Sequence, residues 1–487
     1  MATTPDRPNI LLVTADQQRY DTCGPLAPHF MRTPHFDHLA REGIAFSRAY
    51  ADCPLCVPSR ISIMTGQYVF SHGNPSNGPT TGTIDNRASL PSRLRALGYQ
   101  TAAIGKMHFG PERARHGFDE MILPADYYIA MRNAGHALQP MRHGLGQNEL
   151  YPGLATVPEA MTLTAWIADQ CVSYVKERRD PTAPFFLWCS FSKPHPPLDP
   201  PEPYYSMYRA CDIPEPVYGD WSGDDQAPEA FKRLRQSWSV DLIPKQVIRE
   251  ARAAYYGLIT HVDYAMGRVF AALQDLNLFN DTLILYTSDH GEYLGDHHAG
   301  AKSFFHEPSA HVPMVLRLPK QWADRRHGTT CASVVTLADV LPTLVSAAGG
   351  APPEGIDGTD LVAVARGDLE PRPFLIATGP SIDDPPYLGI TDGHWKYIYW
   401  PEGANDQLFD LETDPRELRN LAGNAEHAAI RLHLRDRMEA WLQAHGQRWL
   451  QDGQLPARPL RGDSVADRRN TYWPGYHTEF YDVDVRH

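Results

Sequence analysis

Residues 9–16 read Asn-Ile-Leu-Leu-Val-Thr-Ala-Asp, an apolar run that ends in an aspartate. A strand without polar alternation is typical of a parallel sheet that is covered by helices on both faces. Asp16 follows at the carboxyl end of this strand, where open α/β sheets bind their ligands. The run therefore predicts a buried central strand and marks Asp16 as a candidate metal ligand, with capping of the following turn as the alternative role.

Three later apolar runs have the same form, and each is followed by polar residues. These are residues 98–105 with Lys106 and His108, residues 184–191 with His195, and residues 282–287 with Asp289 and His290. Helical spacing separates the runs, as over residues 160–178 and 251–277. Alternating strands and helices predict an α/β fold with a mixed or parallel sheet sandwiched by helices. We expect the polar residues at the strand ends to form one site.

The chain changes character beyond about residue 370, where short strands and one helix follow one another. We predict an α/β domain that carries the site over residues 1–370 and a small antiparallel sheet with one helix over residues 371–450. Residues 451–487 form a polar tail with aromatic side chains, and we expect it to contact a neighbouring subunit or the substrate pocket. The chain is therefore predicted to form a homo-oligomer.

Two further helices are predicted from apolar spacing, over residues 34–47 and 334–348. Residues 110–160 and 200–247 are rich in loop-forming residues and show little periodicity. Long irregular insertions of this kind usually form pocket walls or subunit contacts. We expect residues 110–160 and 197–245 to determine the choice of substrate.

Composition limits the classes of partner. The chain has 487 residues, 42% of them hydrophobic and 21% charged, as in ordinary globular proteins. Its formal net charge of −13 argues against nucleic acids, anionic membranes and long sulfated polysaccharides as partners. No run approaches the roughly 18 apolar residues of a membrane span. The polar start predicts no signal peptide, and seven scattered cysteines predict no disulfide framework, so we expect a cytoplasmic protein.

Residues 53–60 read Cys-Pro-Leu-Cys-Val-Pro-Ser-Arg. Pro58 suits the first turn of a helix, so Cys56 is predicted to lie at a helix N-terminus. Free N–H groups and the helix dipole favour an anion at that position. Arg60 adds a positive charge one turn later. The segment is therefore expected to present a nucleophile to an anionic substrate.

The Cys-x-Pro-Ser-Arg pattern resembles the maturation motif of the formylglycine-dependent sulfatases, in the alkaline phosphatase superfamily. Other pieces follow in the order of that family: Asp16, Lys106-x-His108, Ser-Asp-His-Gly at residues 288–291, Lys302, and residues 335–349, 355–358 and 408–415. The resemblance implies an arylsulfatase-like enzyme that cleaves a sulfate monoester through a formylglycine-sulfate intermediate. It also implies a formylglycine-generating enzyme that oxidises Cys56 during maturation.

The resemblance further implies one divalent metal ion. Its ligands would be Asp16, Gln17, Cys56 as formylglycine, Asp289 and His290. Many family members have a second aspartate where this chain has Gln17, whose amide oxygen can still coordinate. The oxygen-rich ligand set favours Ca²⁺, and the imidazole makes Mn²⁺ the alternative.

The remaining implied roles concern the sulfate group and the protons. Lys106 and Lys302 would bind the sulfate oxygens, Arg60 would orient the formylglycine diol, His195 would protonate the leaving oxygen, His108 would accept a proton from the second hydroxyl, and Asn77 would contact the substrate. Cations that face the developing charge stabilise the transition state. Histidine titrates near neutral pH and suits proton transfer. The alternative role is a solvated surface residue for each lysine and a core residue for each histidine.

Three other functions are considered. Gln17 and His290 resemble the phosphonate monoester and phosphodiester hydrolases of the same superfamily, whereas Lys106-x-His108 resembles the sulfatases. A binding protein without activity would have lost some of these residues, and none is lost. Cys53-x-x-Cys56 could form a redox or zinc pair, but no second cysteine pair completes a zinc site.

Overall fold

The computed structural model describes residues 7–78, 84–137, 139–223, 225–322, 327–381, 383–446 and 449–460. No helix within these ranges is both long enough and apolar enough to cross a membrane. The strands are β1 (Asn9–Asp16), β2 (Ile44–Phe46), β3 (Ala49–Tyr50), β4 (Gln100–Gly105), β5 (Glu120–Ile122), β6 (Phe185–Pro194), β7 (Thr282–Ser288), β8 (Met314–Arg317), β9 (Thr329–Cys331), β10 (Val335–Thr336), β11 (Leu375–Thr378), β12 (Leu388–Thr391), β13 (Trp395–Trp400) and β14 (Asn405–Asp410).

The α-helices lie between and around these strands. They are α1 (Pro34–Glu42), α2 (Cys56–Thr65), α3 (Val69–His72), α4 (Leu90–Ala96), α5 (Pro124–Asn133), α6 (Leu163–Ser173), α7 (Tyr204–Met207), α8 (Glu229–Trp238), α9 (Lys245–Asp275), α10 (Glu307–Ala310), α11 (Val340–Ala347), α12 (Leu361–Arg366) and α13 (Ala428–Ala444). A π-helical turn, Tyr174–Arg178, continues α6.

Eight of the strands form one sheet in the order β5-β4-β6-β1-β7-β8-β2-β9. β1 pairs in parallel with β6 and β7, and β4 pairs in parallel with β6. β8 runs antiparallel to β7 and β2, so the sheet is mixed. The four strands that the sequence marks as site-bearing are therefore neighbours, β4-β6-β1-β7, with their carboxyl ends at one edge. The predicted fold class is confirmed.

The two faces of the sheet are packed against different helices. Ile10 and Leu12 of β1 lie in a core with apolar side chains of α2, α4 and α11. Leu11 and Val13 lie in a second core with side chains of α6 and α9. All four side chains are almost fully buried, and burial of each contributes roughly 1.5–3 kcal/mol. Burial on both faces explains the absence of polar alternation in β1.

The C-terminal part contains a four-stranded antiparallel sheet, β11-β12-β13-β14, with α13 packed on it. The predicted domain boundary at residue 370 stays a prediction. The predicted aromatic tail lies mostly outside the described residues. Its described start, up to residue 460, packs on this sheet: the Tyr399 hydroxyl donates a hydrogen bond to the Pro456 carbonyl at 3.0 Å, and the Arg458 N–H donates to the Pro401 carbonyl at 2.8 Å.

Several predicted boundaries were wrong. The helix predicted over residues 34–47 ends at Glu42, because the chain becomes extended at Gly43 and continues into β2, which pairs with β8. Gly43 lies so close to β8 that a Cβ atom there would be 2.6 Å from the Leu316 carbonyl oxygen. The helix predicted over residues 334–348 begins only at Val340. The Asp339 carboxylate accepts the Thr336 N–H at 2.8 Å and caps a preceding 3₁₀ turn.

The two segments predicted to be irregular are partly regular. Residues 110–160 contain edge strand β5 and helix α5, and residues 200–247 contain helices α7 and α8. The long helix predicted from residue 251 begins at Lys245. Edge strand β5 has only three residues, none of them fully buried, so it carries no periodic signal in the sequence.

Candidate active site

The N-terminus of helix α2 forms the floor of the site. The helix begins at Cys56, and the extended backbone of Leu55 precedes it. Its second residue, Val57, donates its N–H to the Asn77 side-chain oxygen at 3.1 Å. Pro58 lies in the first turn, as predicted, where a missing N–H costs nothing. Cys56 therefore lies at the positive end of a capped helix.

Cys56 is 1% exposed and lies among charged groups. Its Sγ atom is 3.2 Å from His290 Nε2, 3.8 Å from Lys106 Nζ and 3.9 Å from Asp16 Oδ1. Burial and the Asp16 charge raise the pKa of the thiol, but Lys106, Lys302 and His290 outweigh them and hold that pKa well below its usual value. The site thus stabilises negative charge at the position of the Cys56 side chain.

Arg60 lies beneath Cys56 and is fully buried. Its guanidinium bridges two carboxylates, at 2.9 Å from Asp289 Oδ2 and 3.1 Å from Asp16 Oδ2. It also donates to Ser190 Oγ at 2.9 Å and to the Lys106 carbonyl. Planar bidentate donors suit this bridging role better than an ammonium would. Arg60 therefore holds the carboxylates of Asp16 and Asp289 in a defined orientation.

Four residues form a candidate metal centre. One ligand atom each of Asp16, Cys56, Asp289 and His290 lies within 4.8 Å of the others, and all four residues are buried. Burial and the nearby Asp16 charge raise the pKa of Asp289. His290 Nδ1–H donates to the Gly291 carbonyl at 2.9 Å, which leaves Nε2 unprotonated and facing Cys56, the tautomer of a metal-ligating histidine. These donors fit a hard or borderline divalent cation.

Lys106 connects the candidate metal centre to the cavity. Its ammonium lies 2.6 Å from Asp16 Oδ2, and its side chain is 18% exposed. The positive charge of Lys106 helps to lower the pKa of Asp16, against the opposing effect of burial. One face of the ammonium remains available to an anion in the cavity.

Lys302, Gln17 and His195 form the opposite wall. Lys302 Nζ donates to Gln17 Oε1 at 2.5 Å and lies 3.4 Å from His195 Nε2. His195 Nδ1 lies 2.8 Å from the Pro196 carbonyl, which can only accept, so the Nδ1 atom carries the proton. Burial lowers the pKa of His195, and Lys106 and Lys302 lower it further, well below its usual value. His195 is therefore neutral and accepts a hydrogen bond from Lys302.

A cavity of about 820 Å³ opens above these groups. Lys106, His108, His195, Lys302 and Asn77 line it together with Cys56. Its outer wall comes from the segments predicted to form it and includes Leu123, Tyr127, Tyr128, Met141, Leu145, Val157, Leu234 and Trp238. His108 is exposed and makes no hydrogen bond to Cys56 among the residues that the structure describes.

Comparisons with known proteins agree with this geometry. A family model described as "Sulfatase" matches residues 8–351, and one described as "N-sulphoglucosamine sulphohydrolase, C-terminal" matches residues 295–444. The chain belongs to the sulfatase family. The enzyme is a sulfuric ester hydrolase of the alkaline phosphatase superfamily, as the sequence predicts.

The enzyme is similar to curated relatives and to a solved structure. It is 33% identical to an arylsulfatase of Clostridium perfringens, over 86% of this chain and 91% of the relative. It is 33% identical to a choline-sulfatase of Rhizobium meliloti, over 86% of this chain and 83% of the relative. The phosphonate monoester hydrolase of Agrobacterium radiobacter superimposes with a TM-score of 0.76, at 27% identity, over 93% of this chain and all of that chain.

The structure brings most predicted site residues of the enzyme together, and it adds two residues that the sequence predictions leave out. Ser190 follows the apolar part of β6 and binds Arg60. Glu292 is buried three residues after Asp289 and binds the Gln17 amide group. The position of Glu292 beside the Asp-His pair was a usable signal, whereas a serine in a buried strand carries none.

Proposed function

We propose that the enzyme hydrolyses sulfate monoesters of small aryl or alkyl alcohols, with Cys56 converted to formylglycine. The observation that carries this proposal is the location of the Cys56 side chain. It lies at a helix N-terminus, and its sulfur is within 4 Å of Asp16, His290 and Lys106. The low thiol pKa indicates that the site favours an anionic group there. In the mature enzyme, an oxygen of formylglycine would occupy the position of the Cys56 sulfur.

The hydrated aldehyde of formylglycine would supply the nucleophile, and a divalent cation, Ca²⁺ by preference over Mn²⁺, would supply positive charge. Asp16, Asp289 and His290 would hold the cation, with Gln17 as a further oxygen ligand. Arg60 would keep both carboxylates in place. Its bridging contacts at 2.9 and 3.1 Å support this role.

Lys106 and Lys302 would bind the sulfate oxygens from two sides of the cavity. Their ammonium groups face the reacting centre from β4 and from the loop after β7, so negative charge that develops there is stabilised. His195 is neutral in the free enzyme, and an entering anion would raise its pKa. It could then receive a proton from Lys302 and pass it to the leaving oxygen. His108, exposed on the cavity wall, would accept a proton during sulfate release.

A phosphonate monoester or phosphodiester activity is the second candidate. The likeness to a phosphonate monoester hydrolase and the presence of Gln17 and His290 favour it. Lys106 and His108 favour the sulfate ester, because the Lys-x-His pattern resembles that of the sulfatases and not that of the phosphonate monoester hydrolases. Both substrate classes carry one negative charge, so charge alone does not separate them.

Two measurements test the proposal. The mass of the peptide that contains Cys56 should correspond to formylglycine, which is lighter than cysteine and reacts with hydrazides. Cys56→Ala should abolish turnover while circular dichroism and the unfolding midpoint stay unchanged. Full activity with an unmodified thiol would disprove the mechanism.

The substrate class is tested by comparing kcat/KM for an aryl sulfate and an aryl phosphonate monoester with the same leaving group. We expect the sulfate to be preferred in the wild type, and Lys106→Ala to reduce that preference. A large phosphonate preference in the wild type would favour the second candidate.

We also propose a cytoplasmic location, a homo-oligomeric state and maturation by a formylglycine-generating enzyme. All seven cysteines are free, which is typical of a reducing compartment. Light scattering of the full chain and of a variant that lacks residues 451–487 tests the oligomer: equal numbers of chains per particle would refute a role of the tail.

A further inference from the structure

Glu292 is a buried carboxylate that the catalytic roles above do not use. It is 1% exposed, and no lysine, arginine or histidine of the described chain lies within ion-pairing distance of it, although the charge of Lys302 acts on it from farther away. Its charge is instead satisfied by N–H groups. Oε1 accepts the Leu294 N–H at 2.8 Å and the Ala301 N–H at 2.6 Å, and Oε2 accepts the Gln17 side-chain NH₂ group.

These bonds determine which way the Gln17 amide group points. A carboxylate can only accept hydrogen bonds, so the NH₂ group of Gln17 must face Glu292. The Gln17 oxygen therefore faces the opposite side, where it accepts from Lys302 Nζ at 2.5 Å. A neutral amide in place of Glu292 could present either an oxygen or an NH₂ group to Gln17, so both orientations of Gln17 would be allowed. A buried carboxylate allows only one of them.

The backbone of Gln17 is held as firmly as its side chain. Its φ of 68° is in the left-handed region, which a non-glycine residue adopts only under constraint. Its N–H donates to Asp289 Oδ1 at 3.0 Å, and its carbonyl accepts the Tyr255 hydroxyl at 2.6 Å. These bonds fix the backbone of Gln17, and the bond to Glu292 fixes the orientation of its amide group.

The same carboxylate holds the loop that carries Lys302. Leu294 and Ala301 lie at the two ends of this loop, both with positive φ, at 49° and 61°. Bonds from one oxygen to both N–H groups close the loop. They position Lys302, the next residue, beside the Gln17 oxygen.

We infer that Glu292 is a positioning residue for the metal centre: it presents the Gln17 oxygen, and not its NH₂ group, to the cation. This inference rests on the proposed role of Gln17 as a metal ligand. The partners that orient metal ligands typically change metal affinity by 10–100-fold when they are altered.

Calcium titration of the metal-stripped, unmodified Cys56 protein tests the inference without using activity. Glu292→Gln keeps the side-chain shape but adds an NH₂ group. Either Gln17 rotates and turns its own NH₂ group towards the cation, or the loop bonds are lost. We expect about 10–100-fold weaker Ca²⁺ binding by calorimetry.

Asp296→Asn is the matched loop control. Asp296 is also buried and holds the same loop through Arg19 and Arg252, but it contacts neither Gln17 nor Lys302. We expect it to lower the unfolding midpoint and to leave Ca²⁺ affinity within about twofold of the wild type. An equal loss of affinity in both variants would mean that Glu292 only stabilises the loop, and would overturn the inference.

An exchange of the two side chains gives a second test, which also serves if Glu292→Gln alone does not fold. In Gln17→Glu/Glu292→Gln the new amide can donate to the new carboxylate, so an oxygen again faces the cation. We expect Ca²⁺ affinity to recover at least to the wild-type value, because a carboxylate binds Ca²⁺ more tightly than an amide oxygen does. Affinity that stays as low as in Glu292→Gln would overturn the inference.

Gln17→Ala separates the inference from the proposed function. If this variant binds Ca²⁺ as the wild type does, Gln17 is not a ligand, and both the ligand assignment and the inference are wrong. If Gln17→Ala weakens binding and Glu292→Gln does not, only the positioning role is wrong.

Discussion

Replacing Arg60 with methionine removes the guanidinium that bridges the two carboxylates of the metal centre. Arg60 is fully buried and contacts Asp289 and Asp16 at 2.9 and 3.1 Å. Asp16 would keep Lys106 as a partner at 2.6 Å. Asp289 would keep His290, whose Nε2 is 3.7 Å from Oδ1, while burial and the Asp16 charge already raise the pKa of Asp289. Breaking a buried ion pair in this way costs about 3–5 kcal/mol.

The loss of folding stability should be smaller when a divalent cation is bound. Arg60 and a divalent cation neutralise the same carboxylates, and they repel each other. Like charges a few ångströms apart interact by a few kcal/mol at an effective dielectric constant of about 20. We therefore expect Arg60→Met to destabilise the metal-free protein by about 3–5 kcal/mol, and the calcium-saturated protein by at least about 1 kcal/mol less.

Urea unfolding with tryptophan fluorescence, in chelator and in saturating Ca²⁺, measures both values. Arg317→Met is the matched control. Arg317 is 3% exposed and pairs with Glu42 and the Phe279 carbonyl, far from Cys56 in the fold. Its loss of stability should be the same with and without Ca²⁺. An equal loss for Arg60→Met under both conditions would refute the argument.

Three further predictions concern the surroundings of the site. Lys396→Met should cost about 3–5 kcal/mol in urea unfolding, because Glu307 and Glu417 at 2.6 and 2.8 Å would lose their buried cation; a loss below 1 kcal/mol would contradict this. Burial raises the pKa of Asp52 to about 7. The contribution of its neutral form to the free energy of unfolding is therefore complete below pH 4 and is lost as the pH rises through 7. Asp52→Asn should therefore gain about 4 kcal/mol relative to the wild type between pH 4 and pH 8, and parallel stability curves would exclude this. Asn77→Ala removes the cap of α2 and should cost about 1 kcal/mol, with Asn77→Asp as the conservative variant that keeps the cap.

The sequence predictions were most accurate where a local pattern of residues has a single physical explanation. An apolar run such as residues 9–16 must be buried, and a polar residue directly after it must lie at the edge of the sheet. Asp16, Lys106, His195 and Asp289 follow from this rule, and the structure brings them together. The chemistry of the Cys56 segment was also legible, since proline and arginine positions within one helix turn are local features.

Contacts between distant segments were decided only by the tertiary structure. Asn77 was predicted to contact substrate, and it lines the cavity while its oxygen also caps α2. His108 lies on the cavity wall, away from hydrogen-bonding distance of Cys56 among the described residues. Edge strand β5 and helix α5 depend on neighbours to which they pair and pack, so residues 110–160 gave no periodic signal.

The sequence by itself determined the four central strands of the sheet, the edge at which the site lies and the kinds of groups present, because burial of apolar runs and helix-start chemistry act over a few residues. The tertiary structure alone decided how those groups are oriented. Arg60 reaches Asp289 across 229 positions of the chain, and Gln17 reaches Glu292 across 275. Hydrogen bonds of this kind depend on side-chain direction to within a few tenths of an ångström, which only the packed fold defines.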